Sequence, residues 1–285
     1  MANAKHPAEV FGYPIDVDSK EAQDHRKRHW CPFADDKCDK KTRLVDYPMG
    51  VCSVQYGEDV IALSPRRFLQ DMTVFYDIAD HHFKTRSDLI CFDEVAIPSA
   101  QNLGRFDYVI VKHKPLSSEI EDFVAVEFQT GQTTNTGPLV QALNHFMQGQ
   151  DVTVGSYEFG INWADIWKRT FTQILTKGIV LERWGHKIYW VVQEQVYQDF
   201  LNRYKLHGME YDPSHSTVFA IYDLKRSGDK YELQQTRIES SAIDDLFEAF
   251  RTNLDVPPKE VFMRALQARA EKKSRAKMRL ELRPE

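Results

Sequence analysis

Residues 122–130, DFVAVEFQT, constrain this chain most. β-Branched and aromatic residues fill the run, which suits an extended strand. Side chains alternate between faces with period two. Phe123 and Ala125 therefore share a face with Glu127 and Gln129, while Val124, Val126 and Phe128 line the other. The strand starts apolar on both faces, then sets a carboxylate and an amide on one face at its far end. A buried strand that turns polar at one end is directed at a site.

The neighbouring segments read as follows. Residues 105–112 (RFDYVIVK) form a second long strand and residues 89–96 a third. The linker 113–121 holds Pro115, Ser117 and Ser118, so the two longer strands can pair antiparallel. Upstream, Phe68, Leu69, Met72, Phe75, Tyr76 and Ala79 recur at helical spacing behind Pro65, which predicts a helix over 66–82. Residues 128–150 lack Asp, Glu, Lys and Arg and read as a loop dense in neutral donors and acceptors. A long helix follows over 162–181. After it come a strand at 186–192, a helix at 195–204 and a strand at 216–222. Helices at 244–254 and 259–277 close the pattern. The order describes an α/β sandwich on a mixed sheet. There is no internal repeat.

A chain of 285 residues that is 42% hydrophobic can bury a sizeable core, which excludes collagenous and globally disordered classes. No run approaches the ~18 apolar residues of a membrane span. The start, MANAKHPAEV, has no apolar signal region, so the expectation is a cytoplasmic chain. Four cysteines in that setting are thiols or metal ligands before they are disulfides. Net charge is −5, which argues against wholesale coating of nucleic acid but leaves room for a local basic groove. Residues 23–44 carry seven Lys/Arg against four Asp, and residues 264–283 carry eight against two Glu.

The first candidate site is acidic. Asp107 interrupts the run Phe106, Tyr108, Val109, Ile110, Val111. If its strand neighbours the one carrying Glu127, the two carboxylates converge. Glu94, on the preceding strand, is a third. Convergent carboxylates are the hard oxygen ligands Mg²⁺ takes. A metal so held supplies a nucleophile and stabilises charge during phosphodiester cleavage. The second candidate is Cys31, Cys38 and Cys52, with Ser64 further on, separated by six, thirteen and eleven residues. No CxxC knuckle is present, so spacing leaves both a metal site and free structural thiols open. Cys91, between Ile90 and Phe92, reads as a small core residue. His81 and His82 end a helix, and adjacent helical positions are poorly placed to share one metal.

Eight short segments, in order, carry a family resemblance. They are Phe11-Gly12-Tyr13-Pro14, Cys31-Pro32-Phe33, Cys38, Gly50-Val51-Cys52 and Ser64-Pro65-Arg66-Arg67-Phe68. Then come Gly104-Arg105-Phe106-Asp107, Val126-Glu127-Phe128-Gln129-Thr130, and Trp167-Lys168-Arg169-Thr170-Phe171 with Gln173. Over roughly residues 11–200 the chain resembles the NotI-type restriction endonucleases, a branch of the PD-(D/E)xK nuclease superfamily. The resemblance implies an αβββαβ nuclease core over 66–225. A small cysteine-containing metal-binding module would precede it at 1–65. A helical segment with a basic tail would follow at 226–285.

The resemblance also implies roles. Asp107 and Glu127 would hold catalytic Mg²⁺, and Glu94 would be an accessory acid. Gln129 would stand where most of the superfamily has Lys. An amide cannot take a proton, so Gln129 would orient the attacking water rather than activate it. Cys31, Cys38, Cys52 and Ser64 would match a four-cysteine site for a single iron, with zinc equally compatible on geometry. Ser64 departs from that pattern, because a hydroxyl is a poor ligand in a soft-sulfur site. Thr133, Thr134, Asn135, Lys168 and Arg169, with the basic tail, are candidate DNA contacts. Cutting both strands of a palindrome favours a homodimer on double-stranded DNA. Two readings compete with a restriction enzyme. One is an inactive DNA-binding protein on a nuclease scaffold, and the other is a structure-specific repair nuclease.

Overall fold

A computed structural model describes residues 4–99, 103–155, 157–206, 208–253 and 256–271. The chain opens with strands β1 (Lys5–Val10) and β2 (Tyr13–Pro14), helix α1 (Lys20–Arg28), and the short strands β3 (Trp30–Cys31) and β4 (Asp36–Lys37). Strands β5 (Val51–Tyr56) and β6 (Asp59–Ala62) follow, then a 3₁₀ segment at Pro65–Met72 and helix α2 (Thr73–His82). Next come β7 (Leu89–Ala96), β8 (Arg105–His113) and β9 (Ile120–Gln129). After them lie β10 (Thr133–Thr134), α3 (Thr136–Met147), β11 (Gly160–Ile161), α4 (Trp163–Gln173), a π turn at Ile174–Gly178, and α5 (Ile179–Trp184). The chain continues through β12 (Lys187–Gln193), α6 (Glu194–Tyr204), β13 (Thr217–Ser227), β14 (Lys230–Ser241), α7 (Ile243–Thr252) and α8 (Lys259–Glu271).

The fold is mixed α/β. A six-stranded sheet runs in the order β14-β13-β12-β9-β8-β7. Strand β12 lies parallel to β9 and β13, and the remaining pairs are antiparallel. The alternation in β9 sorts its side chains into two cores. Ala125 joins a cluster with Leu139, Ile166, Trp167, Trp190 and Val196, under α3, α4 and α6. Val124, Val126 and Phe128 join the other, with Phe68, Phe75 and Ile78 from the 3₁₀ segment and α2. Each such aliphatic or aromatic side chain, fully buried, contributes about 1.5–3 kcal/mol. A strand covered on both faces has no polar alternation until its end, which is what the 122–130 run shows.

The N-terminal strands form a separate four-stranded sheet, β2-β1-β5-β6. Its core does not stand apart. Val10, Val51, Val54 and Ile61 belong to the same apolar cluster as Leu139 and Trp190. Its edge is tied to the main sheet by Gln193, whose amide oxygen accepts from the Ala62 N–H at 2.8 Å. The Gly131 N–H donates to the Ala62 carbonyl at 2.9 Å. A Cβ at Gly131 would lie 2.9 Å from Ile61 and 3.0 Å from the Ala62 oxygen, so this approach requires glycine.

Several expectations are corrected. The helix expected over 66–82 is broken at Gln70 and Asp71, and Asp71 and Met72 both have positive φ. The break lets the buried Arg67 reach Glu9 at 2.9 Å and Gln70 at 2.7 Å, a network that also takes the Tyr231 carbonyl. The loop expected through 128–150 contains α3 from Thr136. Its Pro138 falls in the first turn, where the missing N–H breaks no helical bond, and Leu139, Val140, Ala142 and Leu143 bury its apolar face. The helix expected over 162–181 is interrupted by the π turn. The boundary drawn at 225 falls inside the β13–β14 hairpin, because β14 (KYELQQTRIESS) is a polar edge strand of the main sheet. The helix expected to 277 is described to Glu271 and is exposed along its length; the rest of the basic tail lies outside the described residues. Among the described residues no helix is long and apolar enough to cross a membrane.

Candidate active site

Strand register assembles the acids. Tyr108 pairs with Val126, which sets Asp107 opposite Glu127. Asp93 pairs with Tyr108 and Val95 with Phe106, which sets Glu94 opposite Asp107. Directly opposed residues of an antiparallel pair project to the same face. Glu94, Asp107 and Glu127 thus form one row across three strands. Glu94 itself sits at φ +49°, a left-handed conformation that is costly for a residue with a Cβ.

Backbone and side-chain bonds lock the row. Asp107 accepts from the Phe128 N–H at 2.9 Å, and the Asp107 N–H donates to Glu127 at 3.3 Å. Helix α4 supplies the rest. Asn162 caps its N-terminus by accepting from the Asp165 N–H at 3.3 Å. At its other end Gln173 donates to Glu127 Oε2 at 3.3 Å and accepts from the Gln129 amide at 2.9 Å. The Thr170 hydroxyl, one turn earlier, donates to Gln129 Oε1 at 2.8 Å. One turn later, in the π turn, Lys177 donates to Glu127 Oε1 at 2.6 Å. Glu127 is fully buried and Lys177 is 8% exposed, so this is a buried ion pair. π turns recur at functional sites, and here the turn carries the lysine that faces the acids.

Burial sets the electrostatics. It raises Glu127 to about 7, and the Asp107 charge adds to the rise while Lys177 opposes it. Burial likewise raises Asp107, with Glu94 adding to it and the Phe128 N–H and Lys177 opposing. Two carboxylates that repel each other away from water resist ionising together, and a cation between them would relieve that repulsion. Mg²⁺ characteristically takes one or two carboxylates and completes its shell with waters and substrate phosphate. Among the described residues no group of three His, Cys, Asp or Glu side chains could hold a metal ion. Asp107 and Glu127 fit Mg²⁺ without a third protein ligand.

A cleft of about 1020 Å³ opens over the row. Asp107, Glu94 and Gln129 line it from the sheet, and Arg169 and Gln173 from α4. Lys40, Lys41, Ser64 and Arg66 line it from the N-terminal segment. Arg66 is steadied by Asp39 at 2.8 Å and by the Lys37 carbonyl at 3.0 Å. The close approach at Gly131 brings this wall to the site. An acidic interior with cationic walls suits a polyanion that meets the acids through a metal.

The expected DNA contacts divide. Thr133 and Arg169 line the cleft. With its amide oriented to satisfy both partners, Gln132 accepts from Arg169 at 3.1 and 3.2 Å and donates to Asp165 at 2.9 Å. Thr134, Asn135 and Lys168 do not line it. Thr134 belongs to the β10–β11 ladder, Asn135 donates to the Glu158 carbonyl at 2.6 Å, and Lys168 is exposed on α4. Sequence reasoning missed Lys177, Lys41 and Arg66 as site residues. Lys177 had a signal, because Arg169, Gln173 and Lys177 repeat every four residues along one helical face.

The cysteines converge, but not as a metal centre. Cys31 ends β3, Cys38 directly follows β4 and donates its N–H to the His29 carbonyl at 2.8 Å, and Cys52 lies in β5. The Leu63 and Ser64 N–H groups both donate to the Cys52 carbonyl, which brings Ser64 to the group. A structural iron or zinc site needs four donors in a tetrahedron. This group offers three sulfurs and a hydroxyl, and among the described residues no three His, Cys, Asp or Glu side chains are placed to hold a metal ion. The residues present do not fit the structural iron or zinc expected for Cys31, Cys38, Cys52 and Ser64.

Comparison with protein families gives one finding. A family model described as restriction endonuclease NotI matches residues 9–233, most of the chain. Comparison with curated proteins gave no match.

Proposed function

The chain belongs to the NotI family of restriction endonucleases, and on that premise we propose how its site cleaves DNA. As a family member it is a type II restriction endonuclease, a hydrolase acting on DNA. We infer a PD-(D/E)xK arrangement, with Asp107 as the first acid and Glu127-Phe128-Gln129 as the second motif. Asp107 and Glu127 would hold Mg²⁺. When bound, the metal lowers the pKa of a water and neutralises charge on the scissile phosphate.

The chain's own residues do the rest. Lys177 and Gln173 hold the Glu127 carboxylate in place from two sides. Gln129, fixed by Thr170 and Gln173, presents an amide to the cleft that orients the attacking water without taking its proton. Glu94 is an accessory acid at the row's outer end. Lys41, Arg66 and Arg169 meet phosphates or guanine edges, and Thr133 reads permissively. The substrate is double-stranded DNA with a palindromic site, cut in the cytoplasm by a homodimer whose two-fold axis matches that of the site.

The observation that carries this reading is the register-built row Glu94–Asp107–Glu127 beneath a cleft with cationic walls. Digestion of a large plasmid tests it. Discrete fragments that need Mg²⁺ and vanish with Glu127→Ala are expected. Cleavage that survives the substitution, or a continuous ladder of products, would overturn it.

A further inference from the structure

On the reading that the cleft receives DNA, we propose that Gln132 is a positioning residue that holds Arg169 as a phosphate contact beside the acidic row. Helix α4 carries Asp165 and Arg169 four residues apart, an acid followed by a base at the spacing of a helical ion pair. Two other pairs of this kind close directly, Asp24 with Arg28 at 3.1 Å and Asp199 with Arg203 at 3.3 Å. The third is opened by an amide. The Gln132 side-chain oxygen accepts from both terminal nitrogens of Arg169, at 3.1 and 3.2 Å, and its nitrogen donates to Asp165 at 2.9 Å.

A neutral amide orders the guanidinium without cancelling its charge, which a direct bond to Asp165 would do. Gln132 is itself fixed. Its carbonyl accepts from the Asn162 N–H at 2.7 Å, at the start of α4, and the preceding Gly131 N–H donates to the Ala62 carbonyl at 2.9 Å. Arg169 stays exposed and lines the cleft. Gln173, four residues on and about 6 Å along the helix axis, is bonded to Glu127 and Gln129. The Arg169 charge therefore stands one helical turn from the acids. On the N-terminal wall, by contrast, Arg66 has its charge offset by Asp39 at 2.8 Å. Because Gln132 engages both terminal nitrogens of Arg169, the parallel fork that grips a guanine edge is taken. An uncancelled charge with single N–H groups left over suits a phosphate oxygen.

Binding of the full-length protein to fluorescent duplexes, followed against salt with Ca²⁺ in place of Mg²⁺, tests this. One duplex carries the target mapped from plasmid fragments and the other is unrelated. Arg169→Ala should weaken both alike and lower the slope of log affinity against log salt by about 0.9, the release due to one phosphate. Gln132→Leu frees Arg169 to close on Asp165 and should lose the same slope. Adding Asp165→Asn to Gln132→Leu removes that carboxylate and should bring the slope back. If Gln132 serves packing alone, melting falls and the slope does not. An unchanged slope in Arg169→Ala overturns the proposal, and so does a loss confined to the target duplex, which marks a base contact. A wild-type slope in Gln132→Leu overturns the positioning role. If Gln132→Leu does not fold, Gln132→Glu keeps an oxygen on Arg169 while cancelling its charge, and a wild-type slope there overturns the same role. Wild-type protein that cuts plasmid at discrete sites while Arg169→Ala keeps its slope sinks this contact and leaves the nuclease reading standing. Wild-type protein that binds neither duplex overturns both.

Discussion

Glu127 and Cys52 are both buried, and burial pushes each toward its neutral form. Their surroundings part at the next step. Three donors converge on Glu127, from Lys177, Gln173 and the Asp107 backbone, and its neighbour Asp107 faces an open cleft. Cys52 lies 3.6 Å from the Gly50 carbonyl and does not line the cleft. The acidic row gathers donors around a buried carboxylate beside an open cleft. Cys52 is a thiol buried in the N-terminal sheet. Buried ionisable residues mark a site when the protein organises donors around the charged form and leaves a route to it.

Substitution of single residues breaks this contrast most sharply. Asp107→Ala or Glu127→Ala removes a carboxylate from the proposed metal position and should lower the cleavage rate about 10³-fold or more. Cys38→Ser keeps a small polar group on the β3–β4 hairpin and should change cleavage less than about threefold where the protein is folded. Initial rates on a linear duplex carrying the target settle both. A Cys38→Ser loss as large as the Asp107→Ala loss would erase the distinction between the two regions.

Lys177→Met comes next. It leaves Glu127 buried without its cation, a change that costs about 3–5 kcal/mol when one member of a buried pair is removed. Urea unfolding at pH 8 without divalent metal measures it, since Glu127 would take up a proton at lower pH and hide the cost. Added Mg²⁺ should restore part of the loss, because a metal at Glu127 replaces the missing charge. Unchanged stability would mean that Lys177 does not hold the carboxylate.

Stability against pH sharpens the comparison further. Asp107 is held above the ordinary carboxylate range by burial and by Glu94. As pH rises, the unfolded chain releases that proton first, so the native state loses stability until the raised value is passed. Asn at this position does not titrate and still accepts from the Phe128 N–H. Metal-free Asp107→Asn should therefore melt a few degrees above wild type at pH 8 while losing cleavage, and the gap should close toward pH 4. Melting scans with chelator present check the sign. A variant that melts below wild type at pH 8 would show that the row is not under repulsion.

The acidic site was more legible in the sequence than the fold around it. Asp107 stands out because it breaks an apolar run, and Glu127 with Gln129 because they end one. Strand period and pairing direction were enough to make them face each other. Glu94 needed the register, which no local pattern specifies. The three strands from 89 to 130 announced themselves through β-branched and aromatic residues. The N-terminal sheet did not, because its buried positions Val10, Val51 and Val54 are embedded in short, polar, turn-rich stretches. Helix α3 was hidden by a lack of charge, which removed the polar face that normally marks an amphipathic helix. Lys177 follows a four-residue repeat with Gln173, yet a solvated lysine on the same face gives the same pattern. Ser64 was a visible departure from four cysteines, whereas the approach of Lys40 to the Leu63 carbonyl was invisible, since only tertiary structure brings residues 40 and 63 together.

Thr170→Val is the smallest change that still separates the two regions. The threonine hydroxyl shares its single proton between Gln129 Oε1 at 2.8 Å and the Ile166 carbonyl at 2.9 Å, and valine keeps its shape while removing both contacts. A lost hydrogen bond to a buried amide costs about 1–3 kcal/mol through the unpaired group left behind. Part of that falls on stability and part on the orientation of Gln129. If Gln129 positions the attacking water, the maximal cleavage rate should drop about tenfold, equivalent to ~1.4 kcal/mol, while the DNA concentration at half-maximal rate stays unchanged. If Gln129 only supports the α4 packing, melting temperature falls and the rate of the folded protein does not. The split between rate and stability is the readout, because it assigns Gln129 to the reacting end of the strand or to its packing. No residue of the cysteine cluster offers the same division, since none of its side chains is bonded to the acidic row.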